Sequence, residues 1–353
     1  MTKPILLLAA TTIGVTALAV PSLVSSLPAA SAAADPVFTG MCDASAGLFL
    51  DQTRLVVAND EDPDKTSLRV YDVTRPGAPI DRIPATEALK PEDSDGEVDL
   101  EGLTPFGTQF VTIGSHSRKK KNPPLVAPSR HRLLAFSVTP AQPSLKIEAR
   151  GLYKDLIVDA QRFLVGLPDT EPLRGFVLDN KKGSKDGGLS IEAVTETATP
   201  GEMLIGLRSP LGPDDKAIVL RLTNAADVLA RGATASFAPP ILLGLKGQGL
   251  RDLVRDGRDG YLLIAGDPGD GGAFSLWKWS GPGGTPAHVS PIERPTGVTK
   301  ASAEGLAIAE NGAAVWILFD EGERKNTAGV ECKDLTEPAQ QSFHARRVAL
   351  PGP

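Results

Sequence analysis

The sequence predicts an all-β fold, a β-propeller of six blades, with five blades and an insertion as the close rival. Three observations lead there. A unit of two apolar runs recurs along the chain, and a charged residue recurs at one point within it. Turn formers are also abundant, with 36 Gly and 30 Pro in 353 residues, which suits many short strands. The clearest unit is Asp99-Leu100-Glu101-Gly102-Leu103-Thr104 followed by Phe110-Val111-Thr112-Ile113-Gly114-Ser115. It returns at 189–195 before 203–208, at 249–254 before 261–267, and at 303–308 before 314–320. The run Gly47-Leu48-Phe49-Leu50 before Leu55-Val56-Val57-Ala58-Asn59-Asp60 reads as an earlier, degraded copy.

A recurring strand pair marks an architecture in which each copy buries its face against its neighbours. The charged anchors are Glu101, Glu192, Arg251 and Glu304, at intervals of 91, 59 and 53 residues. The long first interval holds either two blades of about 45 residues or one blade with an insertion. A β-sandwich would also give many short strands, but it would not repeat one acid or base at one point of each copy.

Residues 1–34 read as a secretory signal. Lys3 precedes a nearly continuous apolar run over 5–20, and a small-residue tail ends in Ala30-Ser31-Ala32-Ala33-Ala34, which offers Ala-x-Ala cleavage. The run is short for a membrane span. The expected product is a single exported domain, 35–353, secreted or periplasmic, with no membrane span and as a monomer. Removing one lysine takes the net charge from −6 to −7, an acidic balance that argues against nucleic acid as partner. Cys42 and Cys332 lie near opposite ends of that domain. A ring must bring its ends together, and an even cysteine count in an exported chain favours a Cys42–Cys332 disulfide over two free thiols.

Along the chain, 67–73 alternates as a strand, and 117–124 is a basic loop ending in two prolines, read as a solvated excursion. Residues 132–138 form a strand, with another at 144–149. The segment 152–188 breaks the rhythm. Its apolar spacing over 152–167 fits a helical insertion, followed by turn residues at 181–188. Outer strands are placed at 217–222 and 274–279, a short helix at 224–231, and a ring-closing strand at 344–350.

These residues resemble a bacterial family known as domain of unknown function 3616 (DUF3616). The resemblance rests on Asp99-Leu100-Glu101-Gly102-Leu103, Ile113-Gly114-Ser115-His116-Ser117-Arg118, Gly206-Leu207-Arg208-Ser209-Pro210-Leu211, Gly249-Leu250-Arg251-Asp252-Leu253 and Glu304-Gly305-Leu306, and covers about 47–321. It implies a propeller similar, in its Glu-Gly-Leu strands, to phytase-like esterase propellers, and carries over no activity. The chain departs from the pattern at Glu192-Ala193-Val194.

In a propeller, equivalent positions of successive blades converge on one channel mouth. That predicts a first ring of Glu101, Glu192, Arg251 with Asp252, and Glu304. A second ring would hold Asp60, His116 with Arg118, Arg208, Asp267 and Asp320. The glutamates either pair with arginines to hold the ring together or face a ligand. Arg118, Arg208 and Arg251 can each grip a carboxylate or phosphate in bidentate fashion, and Arg208, presented by a Pro-ended turn, is the first choice. His116 would be a general base near neutral pH; with Glu101 and Glu304 it completes the catalytic candidates. None of the four histidines has zinc-ligand spacing to another. Asp60, Asp267 and Asp320 sit in acidic turns with the oxygens that calcium prefers, although solvated turn acids are the default. Two functions remain open. One is a non-enzymatic propeller binding a small polar or anionic ligand, or a protein, at the mouth. The other is a calcium-assisted phosphoesterase in which metal and arginines neutralise phosphate charge.

Overall fold

The protein is seen in a computed structural model that describes residues 34–59, 66–94, 96–141, 144–256, 260–269, 271–309 and 312–350. Residues 1–33, nearly all of the 1–34 stretch read as a secretory signal, and Asp60 lie outside these residues. A short N-terminal strand, β1 (Val37–Thr39), is followed by four sets of four strands. The first set is β2 (Ala44–Phe49), β3 (Arg54–Asn59), β4 (Ser67–Asp72) and β5 (Asp81–Pro84). A one-turn helix α1 (Thr86–Leu89) leads to β6 (Leu100–Phe106), β7 (Gln109–Gly114), β8 (Leu133–Thr139) and β9 (Lys146–Tyr153). Helix α2 (Leu156–Val165) precedes β10 (Ser190–Glu196), β11 (Met203–Ser209) and β12 (Ala217–Leu222). Helix α3 (Ala225–Arg231) separates these from β13 (Phe237–Leu243). Then come β14 (Gly249–Arg255), β15 (Tyr261–Gly266), β16 (Phe274–Trp279) and β17 (Ala287–Ile292), and finally β18 (Ser302–Ala309), β19 (Ala314–Asp320) and β20 (Ser342–Ala349).

These strands form five antiparallel four-stranded sheets: β2 to β5, β6 to β9, β10 to β13, β14 to β17, and a last one ordered β1-β20-β19-β18. The first strands β2, β6, β10, β14 and β18 touch one another in ring order, with β18 returning to β2. The fold is therefore a five-bladed propeller and not the six-bladed one. The 91-residue interval from Glu101 to Glu192 holds a single blade. Its surplus is spent on α2 and the loops up to β10. Helix α2 buries Leu156, Ile157, Ala160 and Leu164 on one face. These join a core shared by the second and third blades, so apolar spacing at helical period packs here against the flank of the ring. Strand β9 is longer than the run at 144–149 because it continues to Tyr153.

The outermost strands carry the weakest signal. The runs at 217–222 and 274–279 are third strands, and β13 and β17 lie outside them. β13 contains Pro239-Pro240 and β17 contains Pro291, residues tolerated where one edge needs no partner.

Closure uses both ends of the chain. β20 is the third strand of the last blade, and β1 completes it, pairing antiparallel with Phe38 opposite Phe343. Phe38, Phe343 and Tyr71 of the first blade pack with ring centroids 5.2–5.4 Å apart, contacts worth about 0.5–1.5 kcal/mol each beyond their buried area. Arg346 forms a two-pronged ion pair with Asp35 at 2.6 and 2.9 Å. Cys42 and Cys332 are joined by a disulfide spanning 290 residues, with Cα atoms 5.9 Å apart. Beside it the fully buried Glu321 accepts hydrogen bonds from Arg324 (2.7 Å) and from the backbone and ring of His344 (3.0 and 2.6 Å). Its amide donates to the Cys42 carbonyl.

Cross-linking a loop this long restricts the unfolded chain by up to about 5 kcal/mol in the chain-entropy model. The C42S variant should therefore unfold at a clearly lower urea midpoint than the oxidised protein. Reducing agent should lower the wild-type midpoint towards that of C42S and leave C42S unmoved.

Candidate functional site

Every inner strand carries a β-bulge at the same place. The register slips between Ala44 and Ala46, Leu100 and Gly102, Ile191 and Ala193, Leu250 and Asp252, and Ala303 and Gly305. The residues left over are Ser45, Glu101, Glu192, Arg251 and Glu304. A bulge bends the strand and re-aims one side chain, so these five positions share one geometry around the axis. The residue after the bulge faces the next blade. In β6 it is Gly102, where a Cβ would stand 2.9 Å from Val194 Cγ1 and 3.1 Å from the Val194 nitrogen. That close approach accounts for the glycine of Glu-Gly-Leu. The departure at Ala193 leaves the bulge in place, so Glu192 is presented as its counterparts are.

The bulge side chains are buried and unequal in their partners. Ser45 donates to the Leu100 carbonyl across the blade boundary at 2.5 Å. Glu192 takes Arg208 at 2.6 Å and Arg251 at 3.4 Å. Arg251 also donates to Glu304 at 2.7 Å and to the carbonyls of Asp267 and Gly269 at 3.1 Å. Burial opposes its charge, yet Glu192 and Glu304 hold its guanidinium above its usual range. Burial and the nearby Asp320 carboxylate push Glu304 up to about 8, against the pull of Arg251. Among the described residues no hydrogen bond or ion pair reaches the Glu101 carboxyl. Burial, with Glu192, Asp99 and Glu304 around it, pushes it well above the usual carboxylate range.

Glu101, Glu192, Arg251 and Glu304, but not Ser45, line a cavity of about 510 Å³ at the channel mouth. Its described lining holds ten Lys and Arg against eight Asp and Glu, on a chain whose net charge is −6. Of the residues predicted from sequence, Glu101, Arg118, Glu192, Arg208, Arg251, Glu304 and Asp320 line it together. Arg118 is held by Asp179 through two hydrogen bonds at 2.8 and 2.6 Å. Asp252 does not line the cavity. It accepts from the amides of Leu306 (2.6 Å) and Leu253 (2.7 Å), tying the fourth blade to the fifth. His116 is also outside the lining. It donates Nδ1–H to the Gly114 carbonyl at 2.8 Å and stacks on His131. Burial and His131 lower it to about 3, which unsuits it to act as a general base near pH 7. Asp267 caps its own turn at the Gly269 amide, and Asp320 does so at Gly322. Among the described residues no group of three or more His, Cys, Asp or Glu is placed to hold a metal ion.

The chain matches the family described as "Protein of unknown function (DUF3616)" over residues 43–137 and 158–329. It is a DUF3616 protein. No curated protein matches it. Among solved structures, it is similar to a chain of the mitotic checkpoint complex (12% identity, TM-score 0.31, 86% of this chain and 64% of that one). It is also similar to the PQQ-bound aldose sugar dehydrogenase of Streptomyces coelicolor (12%, 0.45, 88% and 96%). A third is a candidate 6-phosphogluconolactonase from Bacteroides uniformis (13%, 0.33, 88% and 75%).

The site of this DUF3616 protein also contains residues beyond the charged anchors of the repeat. Asp99 accepts from Ser117 and Arg130, at 3.2 and 2.8 Å, and Arg130 also pairs with Glu97. Ser45 went unnoticed because a serine does not resemble the charged anchors, although it stands two residues before Gly47. Lys120 and Lys121, from the basic loop read as a solvated excursion, overhang the cavity, exposed. The signal for them was that loop's position directly after β7, the strand paired with the one that carries Glu101.

Removing the guanidinium that bridges two buried carboxylates should be costly. R251Q should lose about 3–5 kcal/mol of unfolding free energy, the range for breaking a buried ion pair from one side, measured by urea denaturation. Glu304 gives a pH signature. Its carboxyl titrates near the ordinary 4.5 when unfolded and about 8 when folded, so the folded state holds the proton more tightly. The stability this contributes is full below about pH 4.5 and lost as pH rises through about 8. E304Q cannot ionise, so its stability relative to wild type should rise steadily between those limits. A flat difference would contradict the raised Glu304.

Proposed function

We propose that this protein is exported and binds a compact polar anion, a phosphate ester or an organic acid, at the mouth of its propeller channel. The cationic majority of the cavity lining on an acidic chain is the observation that carries this reading. Arg208 is the central contact, because only one of its nitrogens is engaged by Glu192. Lys120 and Lys121 draw the anion in from the rim, since charges lining a cleft focus the field on what enters. Export is supported by the leader-like residues 1–34 and by a disulfide that oxidising compartments favour. No helix among the described residues is long and apolar enough to cross a membrane. A calcium-assisted phosphoesterase receives no support, because no three metal-ligating side chains gather among the described residues. Asp60 lies outside them.

Thermal unfolding with a panel of millimolar sulfate, phosphate, citrate and neutral sugar tests this. The anions should raise the midpoint of the wild type and the sugar should not. R208Q and the double variant K120A/K121A should each weaken the anion response by about tenfold in apparent affinity, about 1.4 kcal/mol. Equal responses from wild type and R208Q would contradict the assignment.

A further inference from the structure

Glu101 is set apart among the five bulge residues. Ser45, Glu192, Arg251 and Glu304 each have a partner across a blade boundary or along a neighbouring strand. Glu101 is 7% exposed, lines the cavity and has no hydrogen bond or ion pair among the described residues. Three guanidiniums lie in its electrostatic reach, and all are committed elsewhere. Arg208 holds Glu192, Arg130 holds Glu97 and Asp99, and Arg251 bridges Glu192 and Glu304. The acids facing it are Asp99 on its own strand's entry, Glu192 from β10 and Glu304 from β18. Asp43, just before β2, and Asp320, at the end of β19, line the same cavity.

A carboxylate in this place would be a buried charge without a counter-ion, and such a group takes a proton instead. A neutral carboxyl gains one O–H donor. That donor shares a cavity with the unengaged nitrogens of Arg208. An oxyanion between them would receive a hydrogen bond from each, whereas an ionised Glu101 would repel it.

We infer that Glu101 is the specificity-determining residue of the mouth, holding a proton so that a fully ionised oxyanion is bound by a carboxylic acid and Arg208 together. This rests on the anion-binding reading above. The site then favours oxyanions that bring no proton of their own, and at any pH where Glu101 is ionised in the empty site, binding draws a proton from solvent. Burial and the surrounding carboxylates, which raise Glu101, act in the same direction.

Sulfate is the probe, because its charge is constant between about pH 6 and about pH 9. Isothermal titration in buffers of different ionisation enthalpy reads protons taken up per sulfate bound. As pH rises from about 6 to about 9 and Glu101 ionises in the empty site, the wild type should take up protons as it binds, and its affinity should fall by up to about tenfold for each pH unit above the controlling pKa. E101Q, whose amide still donates, should bind without uptake and with a flatter pH profile. A flat wild-type profile without uptake overturns the role of Glu101 while leaving anion binding standing, and needs no variant that might misfold. Uptake that persists in E101Q but vanishes in E304Q assigns the proton to Glu304 and also overturns it. Wild type that binds no sulfate, or R208Q that binds as the wild type does, overturns the anion-binding reading and this inference with it.

Discussion

Five sheets surround one axis here, and the two ends of the chain meet where the last blade returns to the first. The geometry of the mouth depends on that meeting. β1 lies on β20, the disulfide ties the entry to β2 to the loop after β19, and Glu321 gathers Arg324, His344 and the Cys42 backbone into one knot. Asp43 and Lys333, the residues next to the two cysteines, both line the cavity. Closure and site are thus adjacent, and whatever loosens the seam also loosens the rim.

Within the closed ring, one local device repeats. The β-bulge turns a single residue of each inner strand toward the axis, while its successor packs against the next blade. A bulge residue need not match its neighbour's charge, so the ring accepts serine, arginine and three glutamates at equivalent places. Arg251 then binds two glutamates, and Glu192 is shared by two arginines. Both arginines are taken up by Glu192 and Glu304, and Glu101 is the remainder. A structural network and a binding site are here the same set of residues, which is why neither description alone accounts for the cavity.

Much of this was legible in the sequence because a repeat writes its geometry into spacing. Glu101, Glu192, Arg251 and Glu304 could be aligned without coordinates, and so could the propeller. The blade count could not, since 91 residues fit two blades as well as one blade with α2. Helical spacing shows that a helix exists without showing that it replaces a sheet. Edge strands β13 and β17 were hidden by prolines. Asp252 looked like a site residue because it adjoins Arg251, yet successive strand residues face opposite ways and its carboxylate serves the Leu306 amide. His116 was legible as a residue type but not as a buried, stacked ring. Arg130 and Lys120 come from the long loop between β7 and β8 of the second blade, where no periodicity reports position.

The central claim is that unlike residues at equivalent bulges converge on one anion-receiving mouth. A crystal structure of the protein soaked in selenate, with anomalous data at the selenium edge, tests it most directly. The account predicts a selenium peak inside the ring, within hydrogen-bond reach of Arg208 and facing Glu101. Peaks confined to lysines on the outer surface, or bulge side chains pointing away from a common axis, would contradict it.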